Sequence, residues 1–163
     1  MKIAVVTGDV NPMLTEPPIP GGRVHRIAAH ARALAARGHQ VDIYARRSAP
    51  GQAATAESGS PIRVFTFPVG PPRPLSEAES LHHIQDQAEA MTRIWRAEGL
   101  PDVVHACGRT GGLVALAAAR VAPHLPLVQE DLATGRAESG AVGGGTGVGG
   151  APRPPNCSAG CGG

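Results

Sequence analysis

The sequence predicts an α/β domain of three layers, with a mostly parallel sheet of about five strands. Short apolar runs with strand character alternate with longer segments whose apolar residues recur at helical spacing, and turn residues separate them. This alternation favours parallel strands joined by crossover helices. The 163 residues suffice for one domain with a tail, and 42% apolar residues exclude a chain that is disordered throughout.

The first strand and the first helix flank a proline-rich loop. The apolar run 2–7 ends at Gly8-Asp9, which indicates a buried strand. From Val24 the apolar residues recur at helical spacing, and Gly38 stands where the C-terminal glycine of a helix belongs.

The following segments repeat the pattern of strand and helix. The segment 46–60 is rich in Ser, Ala, Gly and Pro and is predicted to be a loop. The spacing from Ser76 to Glu79 is that of a capping box, which opens a helix predicted to end near Gly99. A further helix is expected over about 112–122. The remaining strands are predicted at 41–45, 62–67, 102–106 and 127–129.

The composition changes near the C-terminus. Residues 136–163 contain ten Gly and three Pro among 28 residues. Such a segment cannot bury enough apolar surface to offset the entropy lost on ordering, so a disordered tail is expected. The predicted domain covers residues 1–132, and the Gly/Pro-rich tail covers 133–163.

Charge and hydropathy limit the classes of partner. The formal net charge is +2, and the chain has one Trp, one Tyr and two Phe. Without a concentrated basic patch and stacking aromatic residues, no nucleic-acid partner is expected. No apolar run approaches the roughly 18–20 residues that span a bilayer, and the N-terminus lacks the pattern of a secretory signal. We therefore expect no transmembrane segment and a cytoplasmic location.

The cysteines do not indicate a disulfide framework or a metal site. There are three, an odd number, at positions 107, 157 and 161. Cys157 and Cys161 have neither a second cysteine pair nor a nearby histidine, whereas zinc normally takes four such ligands. We expect no bound metal and no cofactor.

A pair of glycines begins the first predicted helix. In parallel sheets, ligands bind beyond the carboxyl ends of the strands, where the first helix also starts. Gly21 and Gly22 have no side chains, so a phosphate could approach their amides and the positive end of the helix dipole. A flexible connection into the helix is the alternative interpretation. Neither the dinucleotide fingerprint nor a P-loop follows the first strand.

Three stretches together resemble the N-terminal domain of family-4 glycosyltransferases, which have the two-domain GT-B architecture. The stretches are 21–41 (GGRVHRIAAHARALAARGHQV), 63–75 and 101–115, the last opening with PDVVHA. The resemblance covers about residues 1–129 and implies a Rossmann-like domain. The order and spacing of the stretches make it more specific than any one motif.

The resemblance implies transfer of a hexose from a nucleotide-sugar donor to a small-molecule, lipid or sugar acceptor, with retention of anomeric configuration. The nucleotide-sugar is then a co-substrate rather than a cofactor. The N-terminal domain shapes the acceptor site, and its glycine-rich loop approaches the donor diphosphate. No residue is assigned a catalytic role. The residues expected to bind the donor diphosphate or the acceptor are Gly21, Gly22, Arg23, Arg26, Asp9, Cys107 and Arg109.

The chain departs from the family pattern at two histidines. Family members commonly have a histidine in the first helix where this chain has Arg26. They commonly show His-x-His after the fourth strand, where this chain has His105-Ala106-Cys107. A cysteine cannot replace an imidazole as a hydrogen-bonding partner for a sugar hydroxyl. His105 is expected to be a core residue inside the strand.

The resemblance ends before the donor-binding domain. After about residue 132 the sequence loses its helix and strand patterning. We therefore expect the N-terminal half of a glycosyltransferase, truncated or frame-disrupted, that is inactive alone. A separate C-terminal domain is a possible partner, and whether the chain is itself an enzyme stays open.

Two other classes of protein are kept as alternatives. One is an NADP-type nucleotide-binding oxidoreductase domain, because Arg46-Arg47 follow the second strand, where a 2′-phosphate is bound in such proteins. A solvated loop is favoured for these arginines. The other is a non-catalytic module that partners a separate donor-binding half. His82-His83 is expected to be a polar surface pair.

Overall fold

A computed structural model describes residues 1–13, 22–57 and 61–130. This part of the chain forms one sheet of six strands with helices on both faces. The strands are β1 (Lys2–Gly8), β2 (Gln40–Arg46), β3 (Thr55–Glu57), β4 (Ile62–Phe67), β5 (Val103–Cys107) and β6 (Leu127–Glu130). The helices are α1 (Arg23–Ala36), α2 (Glu77–Leu81), α3 (Ile84–Glu98) and α4 (Gly108–Ala119).

The strand order is β3-β4-β2-β1-β5-β6, and all strands but β3 are parallel. Val5 of β1 lies opposite Ile43 of β2 and His105 of β5. Strands β2 and β4 therefore follow one another on one side of β1, and β5 and β6 follow on its other side. The strand order reverses between β1 and β5. The predicted α/β Rossmann-like architecture of three layers is confirmed. The segment 46–60 is not wholly a loop, because β3 lies within it.

The helices bury two separate apolar clusters against the sheet. On one face, α1 covers Ile3, Val5 and neighbouring residues with its own Ile27 and Ala31. On the other face, α3 and α4 cover a cluster that contains most of the aromatic residues. That second cluster includes Tyr44, Phe65, Phe67, Met91, Trp95, Val104 and Val114. The few aromatic side chains of the chain are thus concentrated between the sheet and one helical layer.

The single helix expected from Ser76 to Gly99 is two helices. Ser76 caps α2 as predicted: its Oγ accepts the Glu79 amide at 3.3 Å, and the Glu79 carboxylate accepts the Ser76 amide at 2.8 Å. The ion pair with Arg73, together with the hydrogen bonds from Ser76, lowers the pKa of Glu79 to about 2. His82 and His83 separate α2 from α3.

The two histidines differ in burial. His82 is exposed, as expected, but His83 is half-buried. His83 lies under Gly70, where a Cβ would stand 2.6 Å from Nε2 of the imidazole. Because Gly70 also has φ of +66°, a side chain at this position is strained for two reasons.

Helix α4 begins at Gly108, earlier than the predicted start near residue 112. Gly111 and Gly112 therefore lie inside the helix. A Cβ on Gly111 would collide with the carbonyl oxygen of Val6, so α4 packs directly on the backbone of β1. A Cβ on Gly112 would instead meet the end of the Gln129 side chain. These glycines serve close packing of helix on sheet rather than opening the helix.

Some sequence predictions lie outside the described residues. They concern Gly21, the boundary near residue 132, the tail 133–163, and the cysteines at 157 and 161. Within the described residues β6 is the outermost strand on its side of the sheet, and Val128 is 54% exposed there.

Replacing Gly111 and Gly112 by alanine separates backbone packing from helix propensity. Both substitutions gain about 1 kcal/mol of intrinsic helix propensity. Gly111→Ala forces α4 away from a β1 carbonyl, so we expect a net loss of about 1–3 kcal/mol in the free energy of unfolding. Gly112→Ala displaces only a side-chain end and should stay near the original stability. Urea denaturation followed by circular dichroism measures both, and equal stabilities would contradict the packing argument.

Candidate functional site

Helix α1 starts at the carboxyl edge of the sheet, where the strand order reverses. Its N-cap is Gly22, with φ −68° and ψ 165°, and its carbonyl accepts the Arg26 amide at 3.0 Å. Gly22 offers no side-chain cap, and the first turn has no acidic residue. The first amides and the positive end of the dipole are therefore not compensated by the helix itself. This arrangement suits an anion.

Arg23 ties the start of α1 to the end of β5. Its Nη2 donates to the carbonyl oxygen of Cys107 at 2.8 Å. The guanidinium lies against Gly108, where a Cβ would collide with it. Gln129 donates from Nε2 to the Gly108 carbonyl at 2.9 Å, so the turn after β5 is held from two sides. A positive charge consequently lies beside the uncapped helix start.

Cys107 ends β5 but does not face solvent. Its side chain is 1% exposed and packs within the apolar cluster beneath α1. Burial, reinforced by the negative charge of Glu130, raises the pKa of the thiol to about 12. Cys107 is therefore a neutral packed thiol, and its backbone carbonyl rather than its sulfur contacts Arg23.

Arg46 is fully buried behind the loops at the ends of β1 and β2. It donates to the carbonyl oxygens of Arg47 and Pro71 at 2.7 Å and of Arg73 at 2.6 Å. Its Nε also contacts the Asp9 carboxylate at 3.3 Å. The expectation of a solvated loop is thus wrong for Arg46. Because these bonds occupy the donors of Arg46, its side chain supports the loops. Arg46 is therefore not available to bind a 2′-phosphate.

A pocket of about 360 Å³ with a mainly apolar lining lies between these loops. Gln52 shapes one side, since its Oε1 accepts the amides of Ser48 at 2.8 Å and Ala49 at 3.2 Å. On the other side Asn11 accepts the Met13 amide at 3.0 Å. The lining consists of Asp9, Val10, Asn11, Ser48, Ala49, Gln52, Pro74 and Leu75. The carboxylate, amide and hydroxyl groups in this mainly apolar lining can exchange hydrogen bonds with the hydroxyl groups of a ligand.

Of the residues that line this pocket, Asp9 is predicted from the sequence to bind a ligand, whereas Asn11, Ser48 and Gln52 are not. These three residues lie in loops and belong to no motif. The sequence indicates only that two of them lie in turns: Asn11 precedes a proline, and Ser48 lies in a segment of small and polar residues. Loop residues converge only when the sheet brings the strand ends together.

Arg26 and Arg109 stand apart from this arrangement. Arg26 is exposed on α1. The Arg109 side chain is 69% exposed and pairs with Glu77 of α2 at 3.0 Å. His25, beside Arg26, is half-buried, and its Nδ1 is buried without a hydrogen bond within the described residues. Of the predicted residues, Gly22, Arg23 and Cys107 meet at the start of α1, while Asp9 lines the pocket.

His105 lies inside β5, as predicted, with its side chain 12% exposed. Its Nε2 is 3.1 Å from Oε2 of Glu130 on β6, and its ring lies 4.8 Å from that of His30 on α1. Burial lowers the pKa of His105, and the neighbouring His30 lowers it further. His105 is therefore a partly exposed polar contact rather than a residue enclosed in the core.

Comparison with known proteins identifies the family. Residues 21–152 match the glycosyl transferase 4-like domain, so this chain belongs to that family. No curated protein sequence matches it. Within the described residues, no helix has both the length and the apolar character needed to cross a membrane.

Solved structures with a similar fold include sucrose-phosphate synthase from Thermosynechococcus elongatus. The TM-score is 0.61 at 21% identity, over 78% of this chain and 31% of that chain. A second structure of that synthase gives a TM-score of 0.59 at 16% identity, over 79% of this chain and 61% of the other. This chain thus spans less than two thirds of either structure.

The buried Cys107 should be nearly inert towards thiol reagents. In a Cys157→Ser/Cys161→Ser variant, Cys107 is the only thiol. Because the thiolate is the reactive form, its raised pKa and burial should slow labelling by a disulfide reagent at pH 8 at least about a hundredfold relative to the unfolded chain. Labelling of the same variant in guanidinium chloride is the control. Equal rates in both states would show that the thiol is accessible.

Proposed function

We propose that this chain supplies the acceptor-side half of a nucleotide-sugar-dependent hexosyltransferase that retains anomeric configuration. The observation that carries the proposal is the uncapped start of α1 at Gly22, beside the reversal of strand order. Membership of the glycosyl transferase 4-like family supports it.

The start of α1 is the proposed contact for the donor diphosphate. Negative charge develops on the diphosphate as it leaves the sugar, and preorganised N–H groups or positive charge stabilise it. The N-cap Gly22 has no side chain to cap the first amides of α1, and the first turn contains no acidic residue, while Arg23 adds a cation oriented by its bond to the Cys107 carbonyl. Gly21, which precedes them in the sequence, belongs to the same proposed loop.

The pocket between the β1 and β2 loops is the proposed acceptor site. Its amide and hydroxyl groups from Asn11, Ser48 and Gln52 are suited to sugar hydroxyl groups. The Asp9 carboxylate is held by Arg46 and keeps 19% of its side chain exposed. We assign Asp9 the role of accepting a hydrogen bond from an acceptor hydroxyl, which orients that oxygen towards the donor.

The described domain forms one wall of a cleft, and transfer in the GT-B architecture needs two. A donor bound at the start of α1 keeps its nucleotide and sugar uncovered until a second domain closes over them. We therefore propose that this chain by itself has little or no transfer activity and that it acts with a donor-binding domain. The nucleotide-sugar enters as co-substrate.

Turnover assays test whether this half is sufficient. The purified chain is incubated with a panel of nucleotide-sugars and with monosaccharide and lipid acceptors. We expect no transfer product above the rate of a protein-free control, because one wall cannot exclude water or enclose the donor. Robust product formation would refute the half-site proposal, and oxidation of NADPH would favour an oxidoreductase instead.

An acidic cap at Gly22 tests the diphosphate contact without disturbing the fold. The extended φ and ψ of Gly22 accept any residue, and aspartate is a preferred N-cap, so Gly22→Asp should be at least as stable as the original. The introduced carboxylate accepts hydrogen bonds from the first amides of α1 and repels an approaching anion. We expect about fivefold weaker binding of pyrophosphate and nucleoside diphosphates, measured by titration calorimetry.

Ala33→Asp is the matched control for this change. It adds the same charge to an exposed position further along α1. Diphosphate binding should be nearly unchanged, because the dipole effect is confined to the first turn. If the two variants weaken binding equally, overall charge rather than the helix start is responsible.

A further inference from the structure

Two histidines and a glutamate converge on the face of the sheet that α1 covers. His30 comes from α1, His105 from β5 and Glu130 from β6. Each offers one ligand atom, and these atoms all lie within 4.8 Å of one another. The three residues are far apart in sequence, and no spacing motif connects them. For this reason the sequence alone predicts no metal site.

We propose that His30, His105 and Glu130 form a binding site for a divalent transition metal, with Zn²⁺ the best match. Two imidazole nitrogens and one carboxylate oxygen are the protein ligands of open zinc sites, which leave the fourth position to water or another ligand. Imidazole nitrogen also favours such metals over Mg²⁺ and Ca²⁺, which prefer oxygen ligands.

The distances fit tetrahedral coordination. Zinc bonds of about 2.0–2.1 Å to nitrogen and oxygen place neighbouring ligand atoms about 3.3 Å apart. His105 Nε2 and Glu130 Oε2 already lie 3.1 Å apart. His30 is exposed, so its side chain is free to rotate the remaining distance towards the other two.

A hydrogen bond between His105 and Glu130 is the simpler alternative. That bond satisfies both groups but needs nothing from His30, whose ring is tilted by 43° against that of His105 with centroids 4.8 Å apart. The metal accounts for all three residues, because it requires lone pairs from both imidazoles at once.

The proposed metal joins α1 to β6, the strand at the edge of the described sheet. Within the described residues β6 is an outermost strand, paired only with β5, and α1 packs over β1, β2 and β4. A metal held by α1, β5 and β6 connects the first helix to this edge. Binding to the folded state should therefore raise thermal stability and protect the amides of β6 from hydrogen exchange. The site is independent of the proposed sugar transfer.

Direct titration with Zn²⁺ tests the proposal on the full chain. We expect one equivalent of Zn²⁺ to bind, with a rise in melting temperature, and Co²⁺ to give the visible absorption of a four-coordinate site. Affinity should fall at least about tenfold in His30→Ala and in Glu130→Gln. Both side chains are exposed or half-buried, so these variants should fold, which circular dichroism checks.

Two controls separate this site from other zinc ligands. His124→Ala removes an exposed histidine elsewhere and should leave affinity unchanged. Cys157→Ser/Cys161→Ser removes the C-terminal cysteines and should also bind one equivalent. The proposal is overturned if the original chain shows no binding at Zn²⁺ concentrations up to about 100 µM. A dissociation constant above that value would be too weak for a specific site. The proposal is also overturned if His30→Ala and Glu130→Gln bind normally, or if the double cysteine variant abolishes binding.

Discussion

The hydrogen bond from Arg23 to the Cys107 carbonyl is the constraint on which the arrangement of the strand ends depends. It joins the first residue of α1 to the last residue of β5. Gly108 makes the contact possible, because any Cβ there would displace the guanidinium. The start of α1 is thereby fixed over the reversal of strand order, where an open α/β sheet binds its ligands. That bond and the packing of Ile27 and Ala31 on the sheet together position the first amides of α1.

A second buried arginine organises the neighbouring loops. Arg46 has no exposed surface, and a charge in that position is costly unless hydrogen bonds compensate it. Carbonyl groups from two different loops and the Asp9 carboxylate provide that compensation. Loops that follow β1, β2 and β4 are thus held as one unit, and the walls of the pocket come from this unit. The pocket is defined by a buried ion pair rather than by regular secondary structure.

Sequence patterns predicted the elements whose signals are local. Strands β1, β2, β4, β5 and β6 and helix α1 follow from apolar periodicity and from terminal glycines. The missed features depend on tertiary contacts: β3 exists through pairing with β4, and α4 begins early because Gly111 packs on β1. At the site, the glycine before α1 was visible in the sequence, whereas the burial of Arg46 and the convergence of His30 with Glu130 were not. Such contacts join residues that no spacing rule connects.

The departures from the family pattern bear on how an acceptor is held in the proposed function. Cys107, at the end of β5 where the resemblance implies a histidine, is buried as a neutral thiol, and Arg26, where it implies the other histidine, is exposed. Neither offers an imidazole to a sugar hydroxyl. In the proposed function, recognition of hydroxyl groups then falls to the polar groups of the Asp9 pocket, among them the Asp9 carboxylate that Arg46 contacts. A carboxylate accepts hydrogen bonds and attracts protons, whereas a neutral thiol at this burial does neither well. The acceptor preference of this chain should therefore depend on the loops after β1 and β2 more than on the first helix.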